Sequence, residues 1–127
     1  MLLEGDETGG TSERYHQLDN MTANGRGELV LQEDPGNRPY LARVWRYDLT
    51  NDALEPLAEA DPRRFDPPTP EPFSQQEESS GVIDVSDILG QGWYLLDVQA
   101  HYAHSDPELV QGGQLLAMHI PPGRPLP

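Results

Sequence analysis

Between Asp61 and Gln76 the chain carries Pro62, Pro67, Pro68, Pro70 and Pro72. Proline lacks a backbone N–H and is confined to loops, bulges and sheet edges. No central strand can therefore run through this stretch, which reads as a linker or a long surface excursion. It divides the 127 residues into two halves. A Pro-rich ligand for a small adaptor domain is the other use of such a run. Thirteen Pro and twelve Gly in all weigh against helix, because Gly costs about 1 kcal/mol and Pro about 3 kcal/mol per helical position relative to Ala. The expected class is all-β.

The first half opens with an N-terminal strand end and loop, residues 1–17, in which Leu2-Leu3 gives way to the polar run EGDETGGTSER. Residues 18–60 read as a meander of four short strands. Met21–Ala23 and Glu28–Gln32 flank Asn24-Gly25, a dipeptide that favours a two-residue type I′ hairpin because both central positions need positive φ. LARVWRYD, residues 41–48, alternates Leu41, Arg43, Trp45 and Tyr47 on one face with Ala42, Val44 and Arg46 on the other, the period of a strand. Asn51-Asp52 supplies a turn, and residues 54–58 return. In an antiparallel first pair, Asp19, Glu33 and Asp34 converge at one end. That convergence asks for a cation or compensating hydrogen bonds, unless these residues are plain turn and loop formers.

After the linker, 61–76, the plan repeats over residues 77–120. Ser80–Ile88 reads as a strand, Gly90-Gln91-Gly92 as a turn, Trp93–Ala100 as a second strand and Gln114–Ile120 as a third, before a Pro-rich tail, 121–127. Leu29–Gln32 corresponds to Tyr94–Asp97, and Arg43–Tyr47 to Leu115–His119. A repeated four-stranded meander is the unit of a β-propeller, so the chain is expected to hold about two blades, the second incomplete. Two blades cannot close a ring that typically takes four to eight. The remaining propeller blades belong to a larger parent or come from other copies.

Asp and Glu number 22 against 8 basic residues, all Arg, for a formal charge of −14. A field of that sign repels nucleic-acid phosphates and anionic lipid and favours metal ions or basic partners. No cysteine is present, which excludes disulfides, thiolate metal sites and a cysteine nucleophile. No apolar run approaches the roughly 20 residues of a membrane span, and MLLEGDETGG has neither the basic nor the apolar region of a signal peptide.

The chemistry candidates are mainly carboxylates. Glu77, Glu78, Asp84 and Asp87, with Ser79, Ser80 and Gln99 nearby, offer the oxygen donors that hard cations such as calcium take. The plain alternative is a solvated acidic loop ahead of a hairpin. In a propeller the first strand of each blade starts at the central channel, so Asp19-Asn20 and Glu77-Glu78-Ser79 would face one axis, where metal ions could clamp and polarise a phosphate ester. His101 and His104 stand three apart at a strand end, and His16 and His119 stand alone. Glu78-Ser79-Ser80-Gly81 lacks the leading glycine of a nucleophile elbow. Trp45 and Trp93 sit in strand patterns as core residues.

LDNMTANGRGELVLQEDPG, LARVWRYDL, EESSGVIDVSDILGQGWYLLDVQAHY and ELVQGGQLLAM resemble the C-terminal part of the PhoX-type alkaline phosphatases and phytase-like β-propellers. The resemblance covers most of residues 15–120 and rests on the DN…QEDPG pair and on EESSG followed by the DVQAH strand. It implies a periplasmic or extracellular propeller acting on phosphate esters, whose central carboxylates hold calcium, with iron as well in the phosphatase branch. By motif it places metal-ligand roles on Asp19, Glu33, Glu77 and Glu78. The iron-binding and nucleophile-bearing parts of that family have no counterpart here, so the isolated chain is not expected to be catalytic. A non-catalytic acidic module used for interaction or scaffolding is the alternative.

Overall fold

The computed structural model describes residues 3, 15–34, 41–65, 77–101, 105, 106, 108 and 111–121. Seven strands form two antiparallel sheets. The first holds β1 (Leu18–Ala23), β2 (Glu28–Glu33), β3 (Arg43–Asp48) and β4 (Ala53–Glu59) in that order; the second holds β5 (Glu77–Asp84), β6 (Trp93–His101) and β7 (Gln111–His119), again in chain order. The all-β class and the repeated up-and-down plan follow the sequence reading. Most of residues 1–17, all of 66–76 and most of the 121–127 tail lie outside the described residues.

The sheets lie face to face. Val30 and Val44 from the first sheet pack with Val82, Tyr94 and Leu96 from the second and with Ile120 just beyond β7, and Leu57 and Met118 close the cluster. Burying side chains of this size contributes about 1.5–3 kcal/mol each. Because successive strand residues point to opposite faces, β2 and β3 also present Leu31, Trp45 and Tyr47 on their other side. Leu3, Tyr15, Leu18, Leu29 and Leu54 pack against these three. The first sheet is thus apolar on both faces and covered on both.

Local chemistry differs from the sequence expectation at three places. The first hairpin forms, but not with a type I′ turn: neither Asn24 nor Gly25 has positive φ, and Gly27 takes the left-handed conformation at φ +78°. Asn24 begins the turn instead. Its carbonyl oxygen accepts from Gly27 N at 3.4 Å, and its side-chain Oδ1 accepts from Arg26 N at 2.9 Å and Glu28 N at 3.1 Å. The glycine that the loop requires is the one that feeds β2, as in a turn followed by a bulge.

Second, the strand expected over Ser80–Ile88 begins earlier, at Glu77, and stops at Asp84. A single helical turn, α2 (Ser86–Leu89), follows it; the other such turn, α1 (Pro62–Phe65), comes earlier in the chain. Asp84 ends β5 by accepting from Ser86 N at 2.8 Å and from the Ser86 hydroxyl, a side-chain bond that competes with strand continuation. Third, part of the Pro-dense stretch is ordered as α1. Asp61 caps it, with Oδ1 accepting from Arg63 N at 2.9 Å, and Pro62 sits at the first helical position, where its missing N–H is harmless.

Candidate functional site

Two of the four sequence-derived ligand residues, Glu33 and Glu77, meet at the start of β3, and the four do not form one cage. Ala42 and Arg43 lie beyond the reach of β2 pairing, which ends at Gln32 opposite Val44. Side chains take over there. Glu77 Oε1 accepts from Ala42 N at 3.1 Å, and Glu33 Oε2 accepts from Arg43 N at 2.9 Å. The other Glu33 oxygen accepts from His16 N at 2.8 Å. Glu33 is fully buried and Glu77 is 3% exposed. Glu77 lines the cavity between the sheets with Val44 and Leu96, whereas Glu33, two residues on from Leu31 and so on the same face of β2, lies on the far side of the first sheet.

Asp19 and Glu78 stand apart from these two. Asp19 is exposed at an irregularity between Leu18 and Asn20 and accepts from the Asn20 amide at 2.9 Å. Glu78 is half-buried on β5, opposite Gln99 of β6. Among the described residues no three His, Cys, Asp or Glu side chains gather as a metal-binding group. Calcium takes six to eight oxygens, and Glu33 already gives both of its own to backbone donors. These four residues by themselves do not fit a single calcium ion. The His101 and His104 side chains lie outside the described residues, and His119 is stacked near Trp93 with ring centroids 4.8 Å apart.

Besides the Glu77 bond, the sheets are joined by side-chain hydrogen bonds that sequence reasoning missed. Gln32, fully buried, sends its amide to both sides of an irregularity in β5. Its Oε1 accepts from Val82 N at 2.9 Å and its Nε2 donates to Ser80 O at 3.3 Å. Between those residues Gly81 adopts φ +61°, and β5–β6 pairing skips from Ser80 to Ile83. The side chain therefore serves as the missing strand partner at the bulge. Gly81 within an otherwise strand-like run was the available signal, since an isolated glycine there marks a bulge.

A second junction lies at the hairpin end. Asn24 Nδ2 donates to the Tyr94 hydroxyl at 2.7 Å and to Glu28 Oε2 at 2.6 Å, and Arg26 Nη2 reaches the same Glu28 oxygen at 2.8 Å. Arg46, 4% exposed, pairs with Glu28 at 3.3 Å and with Glu55. Burial pushes the Glu28 carboxyl up, but the Asn24 and Arg26 hydrogen bonds and the charges of Arg26 and Arg46 outweigh it and hold Glu28 below its ordinary value. Burial raises the Tyr94 hydroxyl, with the Asn24 bond opposing. Beside this network lies a polar cleft of about 400 Å³ bordered by Asn24, Arg26, Asp84 and Asp87.

Glu77 behaves oppositely to Glu28. Burial drives its carboxyl above the ordinary value, and hydrogen bonds from its own backbone and from Ala42 only partly offset this. A carboxyl raised on folding adds stability that is complete below its unfolded value and disappears as pH rises through the folded one. Glu77→Gln keeps an oxygen for Ala42 N and removes the ionisation. The variant is expected to melt above the wild type at pH 7, with the gap closing towards pH 4; thermal melts across that range by circular dichroism measure it. A lower midpoint for the variant at pH 7 would mean that the charge itself is favourable.

No known protein family, curated protein or solved structure matches the chain. The residues themselves therefore carry the functional argument.

Proposed function

We propose that the chain is a non-catalytic, acidic interaction module whose second sheet is extended by strand pairing with another copy. The observation that carries this reading is the outer side of β5–β7. Ile83, Leu95 and Ala117 form a cross-strand row there, next to Leu115 opposite Asp97. Ile83 is 52% exposed and Leu115 79%. Among the described residues β7 is also the free edge of its sheet.

Edges left to solvent are ordinarily guarded by charge, proline or a bulge. β4 is guarded in this way by Glu55, Pro56 and Glu59. β7, QGGQLLAMH, contains no Asp, Glu, Lys, Arg or Pro in a chain that carries 22 acidic residues. A strongly anionic molecule can approach its own copy only through such a neutral strip. Leu115 is the middle residue of Gln111–His119, so two-fold antiparallel pairing in register sets Leu115 against Leu115 and joins two three-stranded sheets into one.

The absence of native cysteine makes the test direct. Opposed Cα atoms in an antiparallel pair stand about 4.5–5.5 Å apart, within disulfide range. Under mild oxidation Leu115→Cys should give a covalent dimer, whereas Ile88→Cys, 81% exposed on α2, should stay monomeric at the same concentration. Equal cross-linking by both variants, or none by either, overturns the reading.

The metal-dependent phosphatase-like propeller is the second reading. It has one structural observation in its favour: the first strands of the two meanders, β1 and β5, lie against each other, as the inner strands of neighbouring blades would. Calcium would then require oxygen ligands beyond the four residues above. That reading expects the melting midpoint to rise with calcium and fall with a chelator, and phosphate-ester cleavage to follow the metal in the closed assembly; indifference to both removes it.

A further inference from the structure

A cavity of about 260 Å³ opens between the sheets beside the start of β3. Its walls are largely apolar, built from Val44 of β3, Leu96 and Val98 of β6 and Leu116 of β7, with Glu77 and Ser79 of β5 as the polar groups of its inner side. Glu77 is 3% exposed. The Ser79 hydroxyl is buried and has no hydrogen-bond partner. Buried polar atoms are nearly always satisfied, so an orphaned hydroxyl lining a cavity calls for an explanation such as a bound molecule.

We propose that this cavity binds a small apolar molecule bearing one amine, its ammonium held by the Glu77 carboxylate and the Ser79 hydroxyl and its hydrocarbon part against Val44, Leu96 and Val98. The chemistry selects the charge. Glu77 is the ionisable group on the inner side and Ser79 Oγ can accept a hydrogen bond, so a donor with positive charge satisfies both. Glu59 and Asp61 also line the cavity, each already paired with an arginine, Arg43 at 2.9 Å and Arg63 at 2.8 Å, so it is the −14 of the whole chain that draws cations in and turns anions away. The volume lies below the roughly 300–1,000 Å³ of drug-sized sites, which restricts the occupant to a molecule such as phenethylamine or hexylamine.

The test is a methyl chemical-shift titration of the intact chain at pH 7 with phenethylamine, phenethyl alcohol and phenylacetate, which share one hydrocarbon and differ in the head. The amine is expected to shift the Val44, Leu96 and Val98 methyls and to bind about tenfold more tightly than the alcohol, the effect of one charge-assisted hydrogen bond. Phenylacetate should not bind. Glu77→Gln should bring the amine down to the affinity of the alcohol, and Ser79→Ala, which leaves the charge in place, should weaken the amine while preserving its advantage over phenylacetate. The assignment fails if the amine binds no better than the alcohol, if Glu77→Gln folds and retains the preference, or if the shifts map away from those three methyls. Should Glu77→Gln not fold, unchanged amine affinity in Ser79→Ala overturns it equally.

Discussion

Gly92→Ala is expected to destabilise the fold by roughly 2–5 kcal/mol, combining left-handed backbone strain with overpacking. Gly92 holds φ +84°, and a Cβ there would run into the Ile120 carbonyl oxygen, with the carbonyl carbon at 3.2 Å. Both obstacles are main chain. They cannot swing aside, because Ile120 N donates to Gly92 O at 2.8 Å and the Ile120 side chain belongs to the core between the sheets. Against the 5–15 kcal/mol of an ordinary domain, this is a large share. Gly90 separates the two causes, since it has φ +97° but nothing within 4 Å of a built Cβ. Gly90→Ala therefore bears only the backbone strain, about 1–3 kcal/mol in the glycine-favoured region it occupies at ψ 163°, and should cost less than Gly92→Ala. Urea denaturation of both variants measures the difference; equal losses would show that the contact with Ile120 is unimportant.

Gln32→Leu should be nearly as damaging. The change keeps the apolar volume but strands Val82 N and Ser80 O inside the protein, and each buried group left without a partner costs about 1–3 kcal/mol. Gln32→Glu gives a sharper signature. At neutral pH it offers an oxygen to Ser80 O and buries a charge, both unfavourable. A protonated carboxyl can again donate to Ser80 O and accept from Val82 N. A buried carboxyl titrates above its ordinary value, so the missing stability should return as pH falls below the folded value and be lost as pH rises through it. Melting curves of Gln32→Glu that run parallel to those of Gln32→Leu at every pH would rule out the two-bond role.

The strand plan was legible because it depends on local alternation and on turn residues. Trp93–His101 keeps one side for the core, Arg43–Asp48 alternates between two covered faces, and Asn24-Gly25 marked a reversal even though the left-handed position fell on Gly27. The Ser86–Leu89 turn was not legible, because Val85, Ile88 and Leu89 look like more strand, and the stop comes from the Asp84 side chain bonding two residues ahead. The carboxylate grouping illustrates a different limit. Acidic residues that cluster in the text can be sent to opposite faces by the period of two. Glu33 and Glu77 meet the same strand from its two sides, a relation set by the packing of one sheet on another. Gln32, Ser79 and Tyr94 carry no charge pattern to attract notice, and their importance comes from burial.

The grip on Ala42 and Arg43 has a consequence for how this molecule comes apart. The first of those amides is guarded by a residue of the second sheet, the second by a residue that also holds the chain at His16. Neighbouring positions thus sense separate events: loosening of the layer that carries Glu77 frees one, and displacement of Glu33 at the end of β2 frees the other. Adjacent amides with unrelated lifetimes are the natural mark of a strand whose first residues answer to two different masters.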